Sequence, residues 1–202
     1  MKRIIFLFVL AISITAYGQN MGIGIRLGDP TGLTLKKHIG KNALEFSFGR
    51  SHLFSNHHWY NDNFDSWYLH QNFGYTDFQY QDYKASIPLG MQLHYLINKD
   101  IYKIGSEDIK GLQWYFGFGG QFRFRNYHYT YTYKVPGDPN WHYGTSRRVT
   151  DIDLGVDGVI GLEYKFDKVP FSVFIDMTIF MEVVDNPFLP SVQGGIGGRY
   201  NF

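Results

Sequence analysis

The last ten residues of the chain, QGGIGGRYNF, alternate between two kinds of side chain. One set is mostly apolar and ends at the aromatic Phe202, while the residues between them are glycine, arginine, glutamine and asparagine. Successive side chains point to opposite faces in a β-strand, so this period of two predicts a strand with one apolar face and one small or polar face. The predicted strand covers roughly residues 192–202.

The same period of two recurs along the chain and predicts seven further strands. It is clearest over residues 112–125, LQWYFGFGGQFRFR, and continues through the following YHYTYTYKV. The other predicted strands cover roughly residues 21–28, 33–39, 44–49, 87–97, 151–166 and 171–182. The polar and aromatic segments at about 50–84 and 135–149 lack the alternation, and we interpret them as long loops.

An even number of strands places both chain ends on the same side of the sheet. The connections on that side are mostly short, such as GKN and DKVP, whereas the opposite side includes the two long loops. Short turns beside the termini and longer loops opposite are typical of membrane-spanning barrels. The sequence therefore predicts an all-β fold, an eight-stranded antiparallel up-and-down transmembrane β-barrel.

The polar faces of the strands decide which side of the barrel is inside. They carry charges of both signs in comparable number, mixed with glycine, as a self-neutralising lumen of only eight strands requires. We therefore expect the bulky apolar face to contact lipid, not to enclose a ligand as in a soluble barrel. The predicted lumen charges are Arg26, Lys36, Glu45, Arg123, Arg125, Asp151, Asp153, Asp157, Glu163, Asp176, Glu182 and Arg199.

These lumen charges permit two interpretations, a water-filled pore lining or a packed network of ion pairs. The network is favoured because eight strands leave little cross-section for water. Buried charges need partners, so we expect the three arginines Arg123, Arg125 and Arg199 to contact acidic residues. The expected partners are Asp151, Asp153, Asp157, Asp176 and Glu182.

Composition narrows the class of protein further. Aromatic residues make up 19% of the chain and glycine occurs 23 times, which favours a β-rich protein that shows large side chains to something other than water. The formal net charge of +1 gives no support for a nucleic-acid partner. With no cysteine, the chain has no disulfide framework, and no motif predicts a cofactor.

The N-terminus has the pattern of a secretory signal peptide. Lys2 and Arg3 precede an apolar run from Ile4 to Ile14, and small residues follow near Gly18. This arrangement predicts cleavage after residue 18 and a barrel domain over residues 19–202.

The terminal Phe202, with Tyr200 two residues before it, resembles the C-terminal signature of bacterial outer-membrane β-barrels. The mature chain resembles small eight-stranded barrels of the OmpA/OmpX-like type. The signal ending AYGQ and the segment GIRLGDPTGLTLK are similar to exported barrel proteins of Bacteroidota. The resemblance implies a location in the cell outer membrane, contact with outer-membrane lipid and lipopolysaccharide, and recognition of Tyr200 and Phe202 by the barrel-assembly machinery.

The two long loops are rich in Tyr, Trp, His and Asn, which suit either a binding surface or an aromatic girdle at the headgroup level. Arg147 and Arg148 lie where lipopolysaccharide phosphates are expected. The candidate surface contacts are Trp59, Tyr60, Trp67, Tyr68, Trp141, Arg147 and Arg148. We predict a structural or surface-binding role through these loops, with an unknown surface ligand.

Two alternatives stay open, a lipid A or phospholipid-modifying enzyme and a narrow channel for small solutes. Ser51, His52 and Ser55, with Asp62 or Asp65, are the residue types that acyl transfer uses, but their spacing matches no catalytic pattern. The remaining loop histidines have no metal-ligand spacing, so we expect neither a catalytic nor a metal site. They are His57, His58, His70, His128 and His142.

Overall fold

The structure, a computed structural model, describes residues 20–51, 58–75, 77–184 and 190–202. The predicted signal peptide, residues 1–18, lies outside the described residues. Within them the elements in chain order are β1 (Met21–Gly28), β2 (Thr31–Ile39), β3 (Asn42–Arg50), α1 (His58–His70), β4 (Phe78–Ala85), β5 (Leu89–Asp100), β6 (Lys103–Ile104), β7 (Glu107–Asp108), β8 (Leu112–Lys134), β9 (Trp141–Thr145), β10 (Val149–Lys165), β11 (Phe171–Glu182) and β12 (Pro190–Asn201).

Eight of the strands in the described part of the chain form a closed antiparallel barrel, which confirms the predicted fold class. Their order around the barrel is β10, β11, β12, β1, β2, β3, β5 and β8, and β8 pairs again with β10. At the seam between the chain ends, the Phe202 N–H donates to the Met21 carbonyl at 2.8 Å, and the Asn20 N–H donates to the Phe202 carbonyl at 3.1 Å. Closure pairs the strand edges, which hydrocarbon surroundings require.

The apolar side chains of the barrel strands point outward. Phe118 on β8 is 65% exposed, and Ile175 on β11 is 54% exposed. Between them on the chain, β10 presents Leu154, Val156 and Ile160 in the same exposed way. An apolar belt of this extent is stable where it meets hydrocarbon and not water.

The side of the barrel that carries the chain ends has compact connections. The β2–β3 turn contains Gly40 at a φ of 61°, a left-handed conformation that glycine adopts without strain. The β5–β8 connection carries the short β6–β7 hairpin. In the described ranges no helix has the length and apolar character needed to cross a bilayer.

The two segments interpreted from the sequence as loops contain regular structure in their described parts. Residues 50–84 include α1 and most of β4, and residues 135–149 include β9. β8 extends far beyond the barrel wall, where β4 pairs with its residues 127–133 on one edge and β9 pairs with residues 130–134 on the other. We refer to α1, β4, β9 and residues 126–134 of β8 as the outer subdomain.

The outer subdomain has its own aromatic core. Tyr60, Phe64 and Tyr68 recur every four residues along α1 and so share one face of the helix. That face packs on the alternate β8 residues Tyr127, Tyr129 and Tyr131, which continue the inward face of the barrel. The prediction of Tyr60 and Tyr68 as surface contacts is therefore wrong, because the two residues are only 8% and 2% exposed in this core.

Candidate binding surface and barrel lumen

The residues predicted to line the lumen all lie on the inward faces of the barrel strands. Eleven of them are buried, and Asp151, near the outer end of β10, is half-buried. Charged groups are buried in proteins only when ion pairs and hydrogen bonds replace water around them. The contacts of these side chains therefore determine whether the barrel is filled or open.

One cluster of ion pairs lies toward the end of the barrel that carries the termini. Glu163 of β10 is at its centre, with the Lys36 Nζ 2.5 Å from one carboxylate oxygen and an Arg199 nitrogen 3.5 Å from the other. Glu45 of β3 accepts a second contact from Arg199 at 2.5 Å. The Ser172 hydroxyl also donates to Glu163 at 2.8 Å.

Further pairs occupy the middle and the outer end of the lumen. Arg26 of β1 makes a bidentate contact with Asp176 of β11, of which the second bond is 2.7 Å. The Arg123 Nε lies 3.1 Å from Asp153, and Arg125 pairs with Asp151. The last two pairs join the neighbouring strands β8 and β10, where Arg123 is in register with Asp153 and Arg125 with Asp151.

The contacts of Arg199 differ from those expected from the sequence. We expected Arg199 to meet an aspartate or Glu182, but it pairs with Glu45 and Glu163. Its position near the end of β12 places it level with these two glutamates on β3 and β10. The partner across a barrel depends on strand stagger, which the alternation of one strand does not reveal.

Aromatic rings and neutral polar groups also fill the lumen, and they were not among the lumen residues predicted from the sequence. The guanidinium of Arg199 lies 3.6 Å from the ring centroid of Phe174, and that of Arg123 lies 4.3 Å from the centroid of Phe180. The His94 Nε2 lies 3.0 Å from Asp157. The signal was present in the same alternation, because Phe174 and Phe180 share the parity of Asp176.

Inward glycines make room for these large side chains. A Cβ built on Gly195 would lie 2.2 Å from the Arg26 guanidinium carbon, and one on Gly161 would lie 2.4 Å from the Tyr115 ring. Side chains at both positions would therefore displace the packed groups. The small residues opposite the apolar face of QGGIGGRYNF thus serve to accommodate the lumen network.

Above the lumen, α1 lies over the outermost ion pair. The guanidinium of Arg125 stacks on the Trp59 ring at 3.5 Å from its centroid, while the same arginine pairs with Asp151. Trp59 was expected at the surface, but it is half-buried against the aromatic core. The outer subdomain is therefore continuous with the filled lumen.

An open groove of about 690 Å³ lies beside the outer subdomain, between the end of α1 and the link from β9 to β10. A volume in this range accommodates a small ligand. Aromatic residues, neutral polar groups and two exposed arginines line it: Trp67, Gln71, Phe73, Tyr131, Thr145, Ser146, Arg147, Arg148, Val149 and Thr150.

Ser146 fixes the link that carries the two arginines. Its N–H donates to the Tyr129 carbonyl at 2.8 Å, and its hydroxyl accepts from the Tyr129 N–H at 2.8 Å. The same hydroxyl donates to the Arg147 carbonyl at 2.7 Å. The backbone of the link is thus held against the buried strand β8, while the Arg147 and Arg148 side chains remain exposed.

Burial of the tyrosines in the outer subdomain changes their acid–base behaviour. Loss of water is the larger cause, and the nearby Asp151 carboxylate the next, of a rise in the pKa of Tyr127 to about 12. Burial and the neighbouring Tyr127 also raise the pKa of Tyr129. Both phenols therefore stay neutral at physiological pH.

The described members of the remaining sequence candidates make separate local contacts. Ser51 is fully buried and donates to Asp29 at 2.6 Å, while His52, Ser55 and His57 lie outside the described residues. His142 lies 2.9 Å from Asp138, and Trp141 is 40% exposed. Within the described ranges no group of three or more His, Cys, Asp or Glu is placed to hold a metal.

The terminal aromatics lie on the outer wall near the seam. Tyr200 and Phe202 are 43% and 44% exposed, and their ring centroids are 5.1 Å apart. Tyr200 also lies edge-on to Phe171 of β11 at 6.0 Å. They form a small aromatic cluster at the end of the barrel that carries the termini.

Comparison of the whole chain with solved structures identifies the fold class. The N-terminal β-barrel domain of Pseudomonas aeruginosa OprF matches with a TM-score of 0.50 and 14% identity, covering 92% of this chain and 99% of that domain. Neisserial surface protein A (NspA) matches with a TM-score of 0.38 and 8% identity, over 90% of this chain and 94% of that one. The fold is that of an eight-stranded outer-membrane β-barrel. No protein-family model and no curated protein matches the sequence.

This resemblance and the apolar belt together support a location in the cell outer membrane. Because short turns face the periplasm and longer loops the cell surface in outer-membrane barrels, we expect the chain ends on the periplasmic side and the outer subdomain at the cell surface.

Proposed function

We propose that this outer-membrane barrel is a surface-binding protein whose groove beside the outer subdomain takes an anionic carbohydrate. The observation that carries the proposal is the combination in one groove of Trp67, Phe73 and Tyr131 with Arg147 and Arg148. Aromatic rings offer broad amphipathic surfaces on which the C–H faces of a sugar pack. Guanidinium groups bind carboxylates and phosphates through two parallel hydrogen bonds.

The rigid setting of the groove supports binding. α1 is held by the aromatic core, and the backbone of the arginine link is held by Ser146, so the elements that carry the ligand-facing groups are fixed before a ligand arrives. Preorganisation of this kind lowers the entropy cost of association. The groove is lined by cations but by no carboxylate side chain in the described part of the chain, which favours an anionic ligand.

The filled lumen argues against a channel role for the barrel. Its cross-section is occupied from the Glu163 cluster to Arg125 by ion pairs and by aromatic rings packed on guanidinium groups. Large side chains also fill the space beside the inward glycines. We expect planar-bilayer recordings of the purified protein to show no conductance steps above background. Regular single-channel openings would favour the solute-channel alternative.

A glycan array probed with the detergent-solubilised protein tests the proposed ligand class. We expect binding to carboxylated or phosphorylated glycans, and roughly tenfold weaker binding for Arg147→Ala and Trp67→Ala, since each loses an interaction worth about 1–2 kcal/mol. Lys103→Ala, an exposed site at the opposite end, is the matched control. Binding confined to neutral glycans, or an Arg147→Ala variant that binds like the wild type, would contradict the proposal.

A further inference from the structure

A second cavity, of about 430 Å³, lies where the segments on both sides of β8 meet it. Its lining contains three basic side chains and no acidic side chain among the described residues. The residues are Lys84, Ala85, Ser86, Asn126, His128 and Arg148. Three strands contribute to it, because β4 and the start of β10 flank β8 at this height.

Strand register arranges these residues in horizontal rows on the outward face. Lys84 lies opposite His128, and Arg148 directly precedes Val149, which lies opposite Tyr127. Two residues nearer the barrel, Asn126 lies opposite Thr150 and accepts from its hydroxyl at 2.8 Å. The upper row is therefore basic, and the row beneath it is neutral and hydrogen-bonding.

The next row toward the barrel is apolar. Phe124 lies opposite Leu89 on one side and Ile152 on the other, and both of these partners are 43% exposed. Ile87, between Ser86 and Leu89, is 67% exposed. Within a few residues along β8, the outer wall thus changes from hydrocarbon-facing side chains to hydroxyls and amides, and then to cations.

From the barrel outward, the apolar, neutral polar and basic rows follow the order of the chemical groups in an outer-leaflet lipid. Acyl chains, polar linkages and phosphates succeed each other along the membrane normal, and basic groups near a membrane surface bind the phosphates. We propose that Lys84, His128 and Arg148 form a binding site for the phosphate of an anionic outer-leaflet lipid, whose acyl chain packs on the Phe124 row.

The backbone and ring contacts of the site favour this role. The His128 Nδ1 donates to the Ser146 carbonyl at 3.2 Å, which holds the ring beside the link that carries Arg148. The Ser86 N–H donates to the Asn126 carbonyl at 2.8 Å, so the end of β4 is held against β8 at the site. Lys84 and Arg148 are exposed and reach the phosphate without a burial cost.

The site shares Arg148 with the groove but differs from it in every other residue. The inference rests on the membrane orientation of the barrel and not on the carbohydrate ligand of the groove. Lys84 therefore separates the two proposals, since it lines this cavity and not the groove.

Native mass spectrometry of the detergent-solubilised full chain, titrated with bisphosphorylated lipid A, tests the site. We expect bound lipid in the wild type, and roughly fivefold weaker binding for Lys84→Ala and for Arg148→Ala, from the contribution of one cation near a membrane surface. Lys84→Arg retains the charge and should retain binding. Lys168→Ala, exposed at the end of the barrel that carries the chain termini, should bind like the wild type.

Two further ligands identify the source of the phosphate. Dephosphorylated lipid A with the same acyl chains should bind at least fivefold more weakly, and inorganic phosphate should not displace the bound lipid. Equal binding of the dephosphorylated lipid, displacement by inorganic phosphate, or unchanged binding by Lys84→Ala and Arg148→Ala would each overturn the proposal. Matching circular dichroism spectra of all variants ensure that folded barrels are compared.

Discussion

Phe64 is the residue through which the independence of the outer subdomain is best tested. Its side chain is fully buried, and its ring lies between 5.1 and 6.0 Å, centroid to centroid, from six other aromatic rings. Phe64→Ala removes these contacts and leaves a cavity, so it should cost about 3–5 kcal/mol. The lipid-embedded barrel makes no contact through this ring and should keep its stability.

Hydrogen exchange followed by mass spectrometry measures this loss where it occurs. A cost of about 3–5 kcal/mol raises the population of the opened outer subdomain by roughly a hundredfold to a few thousandfold, and amide exchange in α1 and β4 accelerates by that factor. Exchange in β1, β2 and β12 should be unchanged.

Leu69→Ala supplies the matched control on the same helix, because Leu69 is 65% exposed and should cost less than about 0.5 kcal/mol. Unchanged exchange in α1 of Phe64→Ala would refute the reasoning that the aromatic core holds the helix. Equal acceleration throughout the barrel would refute the separation of the two units.

Three further predictions concern the lumen, the tyrosines and the C-terminus. Glu163→Gln removes the carboxylate that pairs with Lys36 and Arg199, so it should lower the free energy of unfolding in urea by about 3–5 kcal/mol. The exposed Glu107→Gln should leave it unchanged, and equal unfolding midpoints for the two variants would contradict the prediction. Burial raises the pKa of Tyr127 from the ordinary 10.0 to about 12, so the stability that its neutral phenol contributes is complete below pH 10 and is lost as the pH rises to 12. Near-ultraviolet circular dichroism should show the outer subdomain losing stability in that range. Loss beginning at neutral pH would count against that cause. Phe202→Ala should slow barrel assembly in cells while the folded variant melts within a few degrees of the wild type, and unimpaired assembly would argue against a recognition role for the terminal aromatic.

The alternation of side chains along single strands was sufficient to predict the barrel. Outward residues such as Phe118 and inward residues such as Arg123 follow directly from the period of two, because each strand has one lipid face and one lumen face. The pairing of Arg123 with Asp153 could also be predicted, since the two residues lie on neighbouring strands. The partners of Arg199 were not, since they depend on stagger across the lumen.

The outer subdomain could not be predicted with equal ease because its core is assembled from distant segments. In HWYNDNFDSWYLH the buried aromatic residues are mixed with Asp and Asn, so the helix shows little separation between an apolar face and a polar face. The spacing of Tyr60, Phe64 and Tyr68 was a usable signal, but tyrosine serves equally in loops, girdles and binding surfaces. Only contact with Tyr129 and Tyr131 shows which role applies.

The 23-residue length of β8 also determines how far the protein projects from the cell. The nine residues from Asn126 to Lys134 rise roughly 3 Å each, so the strand carries its tip about 20 Å beyond the lipid surface after allowing for barrel tilt. At that height Trp141 and Tyr143 are exposed and lie well beyond the apolar belt of the barrel. Soluble molecules approaching the bacterium would encounter the aromatic tip before any part of the barrel wall.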